Sequence, residues 1–586
     1  MDYLLNVEKS VSGKRWVGRA YDERTAMALS QRLGVSELTG RVMAARNVTL
    51  DDAQTFLNPT LRDLLPDPNQ FQGMADGVAR VAEAIQKQEL IAIFGDYDVD
   101  GATSSALFRR FLNGVGAKST IYIPDRMTEG YGPNVDAMDV LKKQGVDVIV
   151  TVDCGTTSFE PLARAAELGM DVIVVDHHEA EVKLPQCVAL INPKRLDEDG
   201  RYGHLAAVGM TFIFAVGINR ALREADWFKE GRNEPDLRSL LDLVALGTVC
   251  DVVPLKGLNR AFVMQGLKVM ARRGNAGLAA LADTAGVNEP PEAYHAGYIL
   301  GPRVNAGGRV GESYLGANLL STDNAGLAAE IAAQLDGYNA ERKELEQLVL
   351  DEAITQVDQQ DNGSFIIAVG EGWHPGVIGI VASRLKERYS LPACVISLSE
   401  GKGHGSGRSV TGVDLGTAII AARQSGLLVK GGGHAMAAGF TVSQDKLEEF
   451  KAFMVDRIGS QIEEQNVIPT YSCDGVISPS GVTPALVEEL EQVGPFGAGN
   501  AQPRFVLGDV TVQRADVVGR DHVRCFLSDQ FGVRLKAIAF RALDSELGQA
   551  LLQHNGQKLH IAGRLKLDTW GGGTSVQMLI DDAARA

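Results

Sequence analysis

Residues 89–101 read ELIAIFGDYDVDG, an apolar run rich in β-formers that ends on a glycine and three alternating acids, Asp96, Asp98 and Asp100. The same design recurs downstream. VDVIVTV (146–152) runs into Asp153 in TVDCG, and MDVIVV (170–175) runs into Asp176, His177 and His178 in VVDHH. STIYIP (119–124) and CVALIN (187–192) are further apolar runs, and helical stretches such as ATSSALFRRFL lie between them. Near-continuous apolar strands alternating with helices predict a buried parallel sheet and hence an α/β domain.

In open α/β sheets ligands bind at the carboxyl edge, where adjacent strand ends bring distant residues together. A further acid, Asp251 in LGTVCDVVPL, also follows an apolar run. So many carboxylates would repel one another or take up protons unless divalent cations removed the penalty. With histidine among the carboxylates Mn²⁺ is more natural than Mg²⁺, although Zn²⁺ competes on raw affinity. Two ions about 3.5–4 Å apart, bridged by one carboxylate, would clamp a phosphoryl group and activate water for in-line attack. Taken singly, each motif has a plainer reading: DYDVDG as a turn with helix-capping acids, DHH as a capped strand end. An EF-hand loop beginning at Asp96 would put Leu107 where the bidentate Glu belongs. NGVGAKST (113–120) has Ala117 where a phosphate-binding loop requires Gly before the Lys, and a strand follows it.

The chain of 586 residues predicts several domains, and its 45% hydrophobic and 22% charged content is that of globular proteins. The net charge of −17 argues against indiscriminate coating of nucleic acid, which needs a broad basic surface, while leaving room for a local basic groove. The six cysteines (Cys154, Cys187, Cys250, Cys394, Cys473, Cys525) form no CxxC pair, which disfavours a zinc ribbon or a disulfide framework. With no leader-like apolar core and no long apolar run, a soluble cytoplasmic protein is expected. The expected organisation is an N-terminal helical extension (1–60), a parallel-sheet catalytic domain (61–270) and a helical connector (271–361). The connector ends in a long, solvent-exposed helix over 327–360. A second, smaller α/β lobe (362–460) and an all-β barrel (461–586) follow, the barrel marked by period-two alternation with frequent turns.

Together GDYDVDG, TVDCGTT, VVDHHEA and GTVCDVVPL resemble the four motifs of the DHH phosphoesterase superfamily, and GGGHAMAAGF (431–440) resembles the signature of its DHHA1 domain. The motif order and the terminal barrel are similar to one branch, the bacterial RecJ single-strand-specific exonucleases. The resemblance implies a two-lobed DHH/DHHA1 phosphoesterase with a C-terminal OB-fold. It implies metal ligands at Asp98, Asp100, Asp153, His177 and Asp251, with Asp153 the bridge, and further ligands or orienting groups at Asp96 and Asp176. It places His178 near the scissile phosphate or the leaving oxygen. One departure is Phe94, which stands where pyrophosphatase-like relatives carry a histidine, so Asp96 or water must complete the first metal site.

Beyond the acids, Gly432, Gly433 and His434 offer close backbone approach to an anion, forming the second wall of a cleft or, more plainly, a strand-to-helix turn. Ser406 and Arg408 in GSGRS and Arg126 in PDR are implied holders of a 5′-terminal phosphate. Arg303, Asn305 and Arg309 lie on what reads as a glycine-interrupted loop, GPRVNAGGR. In the barrel Arg504, Arg514, Arg520, Arg524, Lys536, Arg564, Lys566 and Trp570 are candidate strand contacts, while alternation marks Phe505 as a core candidate. The implied activity is removal of mononucleotides from single-stranded DNA in the 5′→3′ direction with two divalent ions, Mn²⁺ or Mg²⁺, in DNA repair and recombination. The expected partners are single-strand-binding protein and a repair helicase, and a monomer is expected. Two other readings stay open: a phosphodiesterase of short oligonucleotides or cyclic dinucleotides, and a non-catalytic single-strand-binding scaffold.

Overall fold

The computed structural model describes the chain except residues 1–2, 127, 230, 360–362, 466–467, 555 and 569–572. It divides into two compact units, one comprising Met1–Gly308, Glu312–Ala333 and Thr470–Ala586, the other Arg309–Gly311 and Gln334–Pro469.

In the first unit the quoted apolar runs form the strands Leu90–Gly95, Lys118–Tyr122, Val148–Val152, Asp171–Val175 and Ala189–Ile191. All are parallel. Their spatial order puts Leu90–Gly95 between Lys118–Tyr122 and Val148–Val152, so the winding reverses between the first and third strands. That reversal is the switch point at which such sheets bind ligands. Ile91, Ile93, Ile149, Val150, Ile173 and Val174 are fully buried, which explains runs with no polar alternation.

The barrel closes through five strands: Phe505–Val518, His522–Ser528, Arg534–Ala539, Ser575–Arg585 and Lys558–Asp568, the last pairing back onto the first. Phe505 is fully buried, as its alternation suggests. The barrel is not an independent body. Its interior shares one core with Leu29, Val42 and Met43 of the N-terminal helices Glu23–Leu33 and Glu37–Ala44. The N-terminal segment also contains a strand, Arg15–Gly18, paired in parallel with Thr470–Cys473. Trp16 donates its indole N–H to the buried Asp582 at 2.9 Å. Arg46 and Asp474 form a buried ion pair at 2.9 Å, with the Arg504 amide also donating to Asp474. Arg260, 1% exposed, stacks on Phe56 and donates to the carbonyls of Phe56 and Gly494, tying the α/β domain to both neighbours.

The second unit is a mixed five-stranded sheet in which Ile366–Glu371 and Ala393–Ser399 are parallel and the rest antiparallel. Three local expectations change. The long helix runs over Ala325–Asp358, but Val349, Ala353 and Val357 are buried in the second unit's core, so it is half-buried, not solvent-exposed. GPRVNAGGR is helical (Gly301–Val304 and Gly307–Val310), continuing the turn His295–Leu300, because its glycines sit against neighbouring backbone instead of opening a loop. GGGH is neither a turn nor a helix cap: Lys430–His434 is an edge strand paired with Ala437–Ser443. Among the described residues no helix is long and apolar enough to cross a membrane.

Removing one partner of the buried Arg46–Asp474 pair leaves the other charge uncompensated. Asp474→Ala is expected to cost about 3–5 kcal/mol in chemical denaturation, and breaking the fully exposed, solvent-screened Lys87–Glu83 pair by Glu83→Ala is expected to cost far less. Equal effects would show that the buried pair does not hold the barrel to the N-terminal helices.

Candidate metal centre

The strand Leu90–Gly95 delivers Asp96, and the chain then turns into the helix Val99–Gly114. Asp98 is the helix cap, its Oδ1 accepting from the amides of Asp100 (2.9 Å) and Gly101 (3.1 Å). The turn is tight: a Cβ on Gly101 would lie 2.4 Å from the Asp96 carbonyl oxygen. The plain reading of DYDVDG as a capped turn is therefore correct as far as it goes, and the capping Asp98 still has a carboxylate oxygen within 4.8 Å of ligand atoms of Asp96 and Asp153. Asp100 lies on the first turn and accepts the amides of Ala207 (2.7 Å) and Val208 (3.0 Å), so its carboxylate sits at the N-terminus of the helix Ala207–Glu224.

Asp153 follows the third strand in a left-handed conformation, φ 61°, a strained geometry for a residue with a Cβ. Its amide bonds to Val175, tying it to the fourth strand. Asp176 closes that strand and accepts from the amides of His177 (2.7 Å), His178 (3.2 Å) and Thr156 (3.0 Å), and pairs with His178 Nδ1 at 2.7 Å. Those bonds outweigh burial and hold its carboxyl well below the usual range. Burial tends to lower the His178 value, but the Asp176 contact prevails and lifts it to about 9.

His177 is buried, and its Nδ1 lies 3.0 Å from the Leu205 carbonyl. Donation there fixes the tautomer and leaves the Nε2 lone pair directed at Asp153 Oδ1 (3.3 Å) and Asp100 Oδ2 (3.9 Å). Burial lowers its pKa, which favours the neutral imidazole. Asp251 Oδ2 lies 3.7 Å from His177 Nδ1. It follows not a strand but the helix Leu241–Cys250, whose C-terminus enters the cluster from the side.

Potential ligand atoms of Asp96, Asp98 and Asp153 lie within 4.8 Å of one another, as do those of Asp100, His177 and Asp251, and those of Asp153, His177 and His178. Asp153 is common to two groups and His177 links it to the remaining one. Burial, then the charges of neighbouring acids, pushes Asp96 and Asp153 well above the usual carboxylate range and Asp100 and Asp251 to about 7. Asp96 Oδ1, Asp153 Oδ1 and Asp251 Oδ2 are buried without a hydrogen-bond partner among the described residues. Orphaned buried oxygens are costly, and a set of hard oxygen donors with one imidazole fits divalent cations of the Mg²⁺ and Mn²⁺ type. Phe94 fills the core, stacked on Tyr122, and Asp96 Oδ1 is among the orphaned oxygens.

The other expected residues divide. Arg126 stacks on Tyr97 (5.1 Å) and is close enough to Asp96 to act on its charge. Arg303 Nη1 donates to the Ile299 carbonyl, and Asn305 caps that same helical turn. In the second unit Arg309 Nη1 donates to Gly376, Arg408 Nη1 donates to Ser406 Oγ at 3.2 Å on the strand Lys402–Arg408, and Gly432, Gly433 and His434 lie along the edge strand. In the barrel the basic groove is largely neutralised: Arg564 is bidentate to Asp581, Arg504 approaches the same acid, Arg514 and Arg524 pair with Asp516, and Lys536 pairs with Asp568. Arg520 and Lys566 are exposed, and Trp570 lies outside the described residues. Sequence reasoning missed Tyr131, whose hydroxyl donates to the Asp153 carbonyl (3.2 Å) and lies 3.3 Å from His178 Nε2. It also missed Asn192, which donates to Thr156 Oγ1 and the His178 carbonyl. Each donates to a backbone carbonyl and contacts a side chain as well, and such contacts carry no motif.

Comparison with known proteins agrees with this geometry. Residues 90–248 match the DHH family N-terminal domain, 362–460 the DHHA1 domain and 473–582 the RecJ OB domain. The single-stranded-DNA-specific exonuclease RecJ of Escherichia coli is 34% identical over 560 residues, covering 93% of this chain and 95% of that protein. Its Bacillus subtilis counterpart is 32% identical over 581 residues, covering 98% of this chain and 71% of the relative. The crystal structure of RecJ from Thermus thermophilus in complex with Mn²⁺ superimposes with a TM-score of 0.80 at 27% identity, covering 97% of this chain and 79% of the other. With a switch-point acid cluster, three family domains in order and about one-third identity across nearly its whole length, the chain belongs to the RecJ family of single-stranded-DNA-specific exonucleases.

Proposed function

We propose that this protein is a 5′→3′ exonuclease that releases mononucleotides from single-stranded DNA by two-metal hydrolysis. The carrying observation is the set of partnerless buried oxygens on Asp96, Asp153 and Asp251 at the switch point of a RecJ-family chain. Asp96, Asp98 and Asp153 would hold one ion, and Asp100, His177 and Asp251 the other, with Asp153 shared. Bound Mn²⁺ or Mg²⁺ would supply charge neutralisation at the phosphate and activation of water. The chain's own groups do the rest. Leu205 and the amides of Ala207 and Val208 orient His177 and Asp100 before substrate arrives. Asp176 keeps His178 protonated at neutral pH, with its side chain 46% exposed, so it can donate to a phosphate oxygen or to the departing oxygen. Tyr131 steadies both His178 and the strained Asp153 backbone. Ser406 and Arg408 would hold the 5′-terminal phosphate, with Arg126 the alternative candidate for that task. The fitting context is DNA repair and recombination in the cytoplasm, with a monomer working beside single-strand-binding protein and a helicase.

The readings as a short-oligonucleotide phosphodiesterase or an inert scaffold fit less well, because the chain carries a RecJ OB domain and retains every acid of the cluster. Incubation with Mn²⁺ and strands labelled at either end separates them. Asp153→Ala is expected to lower kcat by on the order of a thousandfold or more while circular dichroism stays that of the parent, and comparable turnover would contradict the shared-ligand role. Arg408→Ala is expected to reduce the kcat/KM preference for 5′-phosphorylated over 5′-hydroxyl strands by roughly 10–100-fold, the worth of a charge-assisted hydrogen bond. An unchanged preference would exclude Arg408 from the phosphate pocket.

A further inference from the structure

Tyr294 and Tyr298 are 59% and 75% exposed, and their rings stack on each other with centroids 5.3 Å apart and planes 25° apart. Exposed apolar side chains scattered singly need no explanation, whereas an ordered pair of rings presenting aromatic faces to solvent does. The pair stands where the helix widens: His295–Leu300 is π-helical, a geometry that recurs at functional sites and whose i→i+5 winding aligns residues four to five apart. The inner face of the turn is fixed. His295 is buried, accepting the Glu292 amide (2.9 Å) and contacting Glu289 Oε1 (2.8 Å). Cys250 Sγ donates to the Ala296 carbonyl at 3.4 Å, and Gly301 has no room for a Cβ beside that sulfur. Cys250 is the residue before Asp251, so the tyrosines ride on a turn wedged against the chain that carries a metal-centre carboxylate. All of these residues belong to one compact unit.

We propose that Tyr294 and Tyr298 form a stacking platform that receives unpaired nucleobases of the single strand beside the metal centre. The inference rests on the exonuclease reading above. Glu292, exposed and two residues before Tyr294, disfavours a phosphate there, so a strand passing over the rings must present its uncharged base faces. A duplex keeps its bases stacked inward and has none to offer, which makes the platform a determinant of single-strand preference. Two rings are also far short of the roughly 800 Å² per partner that a stable protein interface buries.

The test compares kcat/KM for a strand of about twenty nucleotides with that for a dinucleotide, in the full chain with Mn²⁺. Tyr298→Ala and Tyr294→Ala are each expected to lower this ratio by roughly 5–100-fold, the worth of one base stacked on an aromatic ring, while Tyr298→Phe keeps it at the parent value. A second readout uses strands with a single abasic residue walked inward from the 5′ end: the parent should show one window of raised KM that the Tyr294→Ala/Tyr298→Ala double variant lacks. Absence of hydrolysis by the parent would overturn the exonuclease reading and this proposal with it. Hydrolysis by the parent, with an unchanged ratio and an unchanged abasic profile in the variants, would overturn the platform alone.

Discussion

Carboxylates crowded at a buried sheet edge repel one another, and much of the surrounding architecture serves to hold them there. The parallel sheet supplies the positions through the reversal of winding between Leu90–Gly95 and Val148–Val152. Backbone amides at the start of two helices partly offset the charge of Asp98 and Asp100, and Asp153 is forced into a left-handed conformation to bring its oxygen inward. What remains uncompensated is the set of orphaned oxygens on Asp96, Asp153 and Asp251. The site is thus built to be completed by cations, and its buried acids resist ionisation without them.

The sheet and most of the acid cluster were legible in the sequence because both rest on side-chain type. Runs such as VDVIVTV have no polar alternation since both faces are covered, and an acid directly after each run has nowhere to go but the carboxyl edge. What sequence could not supply were positions fixed by backbone. Asp251 reads only as an acid after an apolar run, and the run proves to be a helix whose terminus brings it to the cluster. The tautomer of His177 depends on the Leu205 carbonyl, and the clamp on Asp100 comes from the amides of Ala207 and Val208, none of which has a residue signature. GGGH reads as a turn because glycine is usually spent on turns; here it lines an edge strand. The Tyr294–Tyr298 pair was not singled out because two tyrosines four residues apart carry no motif.

A chain of net charge −17 that handles a polyanion must do so locally. The barrel does not present a bare basic groove, since Arg504, Arg514, Arg524, Lys536 and Arg564 are engaged with acids. Ion pairs of this kind orient the guanidinium groups and reduce their pull on phosphates at a distance, which weakens indiscriminate attraction of nucleic acid. Under the proposed function, recognition then falls more heavily on exposed base faces, which only an unpaired strand offers. The shared core between the barrel and the N-terminal helices, with Arg46–Asp474 and Arg260 at its margins, keeps the barrel in a fixed relation to that centre.

The central claim is that the orphaned oxygens define two adjacent cation sites joined by Asp153. Anomalous scattering from crystals of the full chain grown with Mn²⁺ tests it most directly. The account predicts two peaks, one bounded by Asp96, Asp98 and Asp153 and the other by Asp100, His177 and Asp251, with both contacting Asp153. A single peak, or two peaks that do not share Asp153, would contradict it.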